Sequence, residues 1–174
     1  MIFGKQKHLK KLITEMANDL PTFSNPEELM RWMKSNIRYS RYTKLMSHDD
    51  VSIERHGSCH DQVMFEIEEL KKMGEKPRSL FIMEYNKSGQ SGMTHSLVWI
   101  DNHDSGILWI ENAWNGMQGI HKFQNVKELK EYIFQLHKTG KFGNIKQYPE
   151  LEITAMKEHT PGESLQEFVD KCVN

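Results

Sequence analysis

Cysteine is scarce: the 174 residues hold two, Cys59 and Cys172. Two thiols make no disulfide framework of the kind that staples small secreted folds, so both are expected to be free. Net charge is nearly absent as well. Lysine and arginine (23) almost cancel aspartate and glutamate (24), leaving -1 with histidine neutral. A chain so balanced has no global electrostatic reason to seek nucleic acid or an anionic membrane. No apolar run approaches the ~20 residues of a membrane span. Basic residues break up the opening MIFGKQKHLKKLITEM, which therefore lacks the shape of a signal peptide. No glycine-rich loop followed by Lys-Ser or Lys-Thr is present to cradle phosphate. These absences lead to an expected cytoplasmic protein with no nucleic-acid and no membrane partner.

Aromatic residues, at 10%, are too many for a disordered tail. The length suits one domain, which at this size buries ~70% of its unfolded surface without needing a metal or disulfide. Apolar residues at 3- and 4-residue spacing predict a helix from about Lys5 to Asp19, stopped by Pro21. A second begins at the Ser24-Asn25 cap with Pro26 in its first turn, and Leu29, Trp32, Met33 and Ile37 form its inner stripe. Arg38 to Ser58 reads mostly as loop. From Cys59 the spacing of Val63, Ile67 and Leu70 is helical again, and Gly74 ends that helix. Three strand-like runs follow, Ser79–Tyr85, Thr94–Ile100 and Ile107–Ala113, separated by NKSGQSG and DNHDSG, so they predict an antiparallel meander. Val126–His137 is helical, Leu151–Met156 alternates like a strand, and Ser164–Cys172 is a terminal helix. Helices first and antiparallel strands later give α+β.

The segment that carries chemistry is Gly57-Ser58-Cys59-His60-Asp61. Cys59 opens an amphipathic helix behind a good cap, Ser58. Unpaired N–H groups and the positive end of the helix dipole favour a thiolate there. The same N–H groups can face the oxyanion of a tetrahedral intermediate. A nucleophilic thiol needs a base, and His95 opens the strand THSLVWI, which can face that helix start. The imidazole in turn needs an acceptor on its other nitrogen. The turn DNHDSG folds the next strand back, so Glu111 or its neighbour Asn112 can supply it. One residue of register slip exchanges the two.

Taken in order, Trp32, Ile37 and Tyr39, then GSCHDQVMFEIEELKKMGEKPRSLFI, THSLVWI and ILWIENAW resemble the transglutaminase-like superfamily of papain-fold cysteine enzymes. WIENAWNGMQGIH is similar to small bacterial and phage-type members. The likeness runs from about Glu28 to Ile133. It implies a papain-like fold in which the cysteine helix packs on an antiparallel sheet, within one domain spanning 1–174. It implies Cys59 as nucleophile, His95 as general base and Glu111 as orienting acid, with Asp61 a structural acid at the helix start. The family usually has aspartate at the third position, and ENAWNG also resembles the Asn-x-Trp-Gly of papain-type enzymes, which keeps Asn112 as a substitute. Tyr39 and Tyr42 are upstream candidates for a second oxyanion donor.

His56, Cys59 and His60 do not make a zinc site, because no second Cys/His pair follows at the required spacing. No metal and no cofactor are expected. Trp114 and His121 are candidate cleft-wall residues. The expected chemistry is acyl transfer from an amide through a thioester, with a protein or peptide as substrate: a peptidase or amidase if water takes the acyl group, a transglutaminase if an amine does. The alternative of another class is a non-catalytic binding module on the same fold.

Overall fold

The computed structural model describes residues 20–41 and 44–173. The helix expected over Lys5 to Asp19 lies outside the described residues, and so does Tyr42. Asn25 caps α1 (Pro26–Asn36): its side-chain oxygen accepts the Glu28 N–H at 2.9 Å, while Pro26 occupies a first-turn position where no N–H is needed. Leu29, Met30 and Met33 are buried. Trp32, expected in that stripe, is only partly buried and lies between the rings of Phe23 and Phe65, at 5.5 and 5.9 Å.

The stretch from Arg38 to Ser58 is more structured than its sequence suggested. It holds β1 (Arg38–Tyr39), α2 (His48–Glu54) and β2 (His56–Gly57). A reciprocal cap starts α2, with Ser47 and Asp50 each bonding the other's backbone. Arg55 ends it in the left-handed region at φ 59°, rare for a residue with a side chain, and its guanidinium lies 4.7 Å from the Trp32 ring centre. That turn sends β2 alongside β1 in parallel, pairing Tyr39 with Gly57. The pairing sets the run Tyr39–Arg41 beside the segment that leads into Cys59.

The cysteine helix is α3 (Cys59–Lys72), with Gly74 beyond its end at φ 87°. The sheet comprises β3 (Arg78–Tyr85), β4 (Ser91–Asp101), β5 (Ile107–Glu111), β6 (Gly119–Phe123) and β7 (Glu150–Ala155). Its order is β6-β5-β4-β3-β7, with every neighbouring pair antiparallel. The meander runs in the expected order, though β5 stops at Glu111 rather than Ala113, and β6 was not anticipated. The latter is a half-buried edge strand with little apolar alternation to announce it.

Two cores flank the sheet. On one side Leu29, Met33, Val63, Ile67 and Leu70 of α1 and α3 pack on Val98, Ile100, Leu108 and Ile110. On the other, Leu129, Ile133 and Leu136 of α4 (Val126–Lys138) pack on Leu97, Trp99, Ile107 and Trp109. This is the period-2 alternation of strands covered on both faces, and it explains why β4 and β5 read as continuous apolar runs. A third cluster seats Phe168, Val169 and Cys172 of α5 (Leu165–Val173) on Phe81. The fold is α+β, with the cysteine helix packed on an antiparallel sheet. No helix among the described residues is long and apolar enough to cross a membrane.

Candidate active site

Local chemistry at the start of α3 fixes where Cys59 stands. The Asp61 carboxylate accepts the Ser58 N–H (2.8 Å) and hydroxyl (2.7 Å) through one oxygen, and the Met46 N–H (2.8 Å) through the other. A buried acid thus ties the helix start to the preceding loop. Gly57 permits this close approach: a Cβ there would lie 2.9 Å from the Asp61 Cβ. Cys59 then occupies the first helical position, 4% exposed. Among the described residues, no backbone acceptor takes the Cys59 or His60 N–H, which leaves both amides available to an anion.

His95 on β4, opposite Ile82, is 6% exposed. Its Nε2–H donates to Glu111 Oε2 at 2.8 Å. The other oxygen of Glu111 accepts the Trp114 N–H at 2.7 Å, so the carboxylate is held from both sides. With Nε2 committed, Nδ1 is the ring atom left for the Cys59 sulfur, with which His95 hydrogen-bonds. Trp114 and Phe142 pack edge-on against the imidazole, with ring centres at 5.3 and 6.4 Å.

Asn112 points elsewhere. Its amide donates to Gln62 Oε1 on α3 (2.6 Å) and its backbone oxygen accepts from Gln118. The register therefore brings Glu111, and not Asn112, to His95. Gln62 is itself engaged, donating to the Gly57 carbonyl at 2.9 Å.

A second imidazole reaches the same sulfur. His60, 2% exposed, is hydrogen-bonded through Nδ1 to the Ser96 hydroxyl at 2.7 Å and is walled by Phe168 and Phe81. Burial pushes the Cys59 thiol up, but the charges and hydrogen bonds of His60 and His95 outweigh it and hold the thiol at about 5, against an ordinary 9.0. Burial pushes His95 down, whereas the Glu111 carboxylate and the contact with Cys59 carry it well above its usual 6.5. The pair at neutral pH is a thiolate facing an imidazolium. Behind it lies Glu66, two turns along α3 from Cys59 and 1% exposed. Burial first, then repulsion from Glu111, keeps Glu66 well above the usual carboxylate range, and one of its oxygens has no partner.

A cleft of about 400 Å³ opens on Cys59. Tyr39, Arg41, His60, Thr94 and Tyr148 line it. Trp114 and His121, the expected wall residues, are not part of its lining. Trp114 covers His95, and His121 sits on β6 against Trp109 with Nε2 donating to the Met117 carbonyl at 2.6 Å. His60, Glu66 and Arg41 were not singled out by sequence for this site. His60 was visible beside Cys59, and Glu66 falls on the inner face of α3 with Cys59, Gln62 and Val63. Arg41 carried no local signal.

No family model matches the chain, and no curated protein matches it. One solved structure to which it is similar is a candidate cysteine protease from Cytophaga hutchinsonii, at 11% identity and a TM-score of 0.38. The match covers 90% of this chain and 54% of the other, so the chain spans about half that protein's length. A likeness this distant carries no argument about activity.

Proposed function

We propose that this protein is a cysteine-dependent acyl-transfer enzyme, a peptidase or amidase of transglutaminase-like type whose core is residues 28–133. The observation that carries the reading is the placement of a helix-opening thiol against a buried histidine whose far nitrogen is held by a doubly bound carboxylate at 2.8 Å.

In this reading the Cys59 thiolate attacks an amide carbonyl and forms a C–S bond, while the oxyanion faces the Cys59 and His60 N–H groups. His95 gives its proton to the leaving nitrogen as the C–N bond breaks, and a thioester remains. Neutral His95 then takes a proton from water as it attacks the thioester, and the thiolate leaves. Glu111 accepts the imidazole N–H throughout, fixing the ring's orientation and favouring the imidazolium. A thiolate held at about 5 is a good leaving group in the second step as well as a nucleophile at neutral pH in the first.

Water is the proposed acceptor. A transferase must keep water from the thioester while admitting an amine, whereas the cleft here opens on Cys59 and has Arg41, Ser91 and Thr94 in its lining. Bulk water at ~55 M competes with an amine in the micromolar-to-millimolar range usual for substrates. The test is mass spectrometry of a glutamine-containing peptide pool with excess primary amine, comparing the protein with Cys59→Ala. Cys59-dependent cleavage or deamidation is expected. Mainly amine-conjugated product would make it a transglutaminase, and no turnover would leave a binding module.

A further inference from the structure

The lining of the Cys59 cleft carries cations but no carboxylate: Arg41 and His60 are its charged or chargeable side chains besides the thiol. Arg41 is exposed, and among the described residues it has no acidic partner. Its Nε–H donates to the Tyr39 hydroxyl at 3.3 Å. That bond occupies the inner nitrogen and leaves both terminal nitrogens of the guanidinium to donate, the fork that matches a planar carboxylate with two parallel hydrogen bonds. The position is built into the fold. Tyr39 is locked beside Gly57 by the β1–β2 ladder, Ser40 N–H bonds the Gly57 carbonyl at 3.0 Å, and Arg41 is next in line, near enough to feel the charge of Cys59. Ser91 and Thr94 hydroxyls and the Tyr148 ring, seated where Gly92 has no side chain, complete a wall that offers donors and no competing negative charge.

We propose that the substrate carries a carboxylate beside the scissile carbonyl and that Arg41, steadied by Tyr39, is the residue that reads it. The inference rests on Cys59 being the reactive thiol of the site. It adds the substrate's chemical class: an acidic peptide, in which the carboxylate is either a side chain or a free chain end.

Alkylation with a matched pair of reagents tests this without a known substrate. Iodoacetate and iodoacetamide undergo the same step, in which the thiolate forms a C–S bond and iodide leaves, but only the first bears a carboxylate. Second-order rates at Cys59 are measured by peptide mapping near pH 6.5 at low salt, and the iodoacetate rate is divided by the iodoacetamide rate of the same variant. The quotient cancels changes in the thiol, and comparing it between variants cancels the pull of the two imidazoles on the carboxylate, which every variant keeps. Arg41→Met is expected to lower it about fivefold, Arg41→Lys to retain part of the preference, and 0.5 M salt to compress the difference. An unchanged quotient in Arg41→Met, with Cys59 still alkylated, would overturn the carboxylate reading alone. Failure of both reagents at Cys59 would instead overturn the reactive thiol on which it rests. The source of the carboxylate follows from two peptide sets, one with acidic side chains and amidated ends, the other neutral with free ends. Faster cleavage of either set than of neutral amidated peptides, lost in Arg41→Met, supports the proposal and names the source. Equal rates for all three contradict it.

Discussion

Replacing His95 and His60 with glutamine, singly and together, removes the charges that hold Cys59 ionised, and the consequence can be worked through in rates. A thiol at about 5 is about nine-tenths ionised at pH 6, whereas one at the ordinary 9.0 is about one-thousandth ionised. Ionisation alone would slow alkylation about 900-fold in the double variant. The thiolate that remains is more basic by about four pH units, however, and a Brønsted slope of ~0.45 makes it about 60-fold more nucleophilic. The net loss at pH 6 is therefore at least about 15-fold, because burial, with no imidazole to oppose it, pushes the variant thiol above 9.0. By pH 8 the sign reverses, because up to about a tenth of the variant thiol is ionised and each thiolate is the better nucleophile. The wild type is expected to show a nearly flat iodoacetamide profile from pH 6 to 8. The double variant should climb about tenfold per pH unit and cross it between about pH 7 and pH 8. Each single variant should fall between, since one imidazole remains on the sulfur. Stopped-flow or quenched alkylation with mass detection measures the profiles. Parallel profiles for wild type and double variant would refute the reasoning, because Cys59 would then owe its ionisation to neither histidine.

Three further outcomes follow from the same contacts. Iodoacetamide near pH 7 should modify Cys59 and spare Cys172, which burial pushes up and which closes a helix instead of opening one; equal labelling in the folded protein would contradict this. Glu111→Gln keeps an oxygen to accept the His95 N–H and should slow turnover less than Glu111→Ala, while Asn112→Ala acts through Gln62 and should mainly lower the melting temperature; a larger kinetic loss from Asn112→Ala than from Glu111→Ala would reverse those roles. Glu66 has a raised folded pKa, so the stability of its neutral form is complete below its unfolded value near 4.5 and is lost as pH rises through the folded value. Glu66→Gln should match the wild type in urea at pH 4 and exceed it at pH 8, and a variant weaker at pH 8 would show that the ionised carboxylate is tolerated there.

Much of this architecture was legible because its determinants are local. The Ser58–Asp61 cap, the stripe of Val63, Ile67 and Leu70, and the turns NKSGQSG and DNHDSG each specify their element within a few residues. What escaped depends on contacts between distant segments. Two-residue strands such as β1 and β2 have no pattern to read, and they exist because Arg55 turns the chain back on Arg38. Arg41 reaches the cleft through that ladder, so nothing near it in sequence marks it as a site residue. The α2 cap was readable in Ser47-x-x-Asp50, but the helix spans only seven residues and Val51 and Ile53 show too little periodicity. The choice between Glu111 and Asn112 hinged on one residue of register, set by the pairing of Val98 with Ile110 and Trp99 with Trp109. His60 was read against a metal site and dismissed, when its nearest relevant neighbour was the cysteine beside it.

The central claim is that Cys59 forms and turns over a thioester with His95 as its base. Mixing the protein with p-nitrophenyl acetate at pH 7 and following p-nitrophenolate release tests it directly, with acid-quenched samples mapped for the acetyl group. The account predicts a burst of about one p-nitrophenolate per chain, an acetyl group on Cys59, and continued turnover that stops in Cys59→Ser and stalls at the acetylated stage in His95→Gln. No acetyl group on Cys59, or a stable acetyl thioester with no turnover in the wild type, would contradict it.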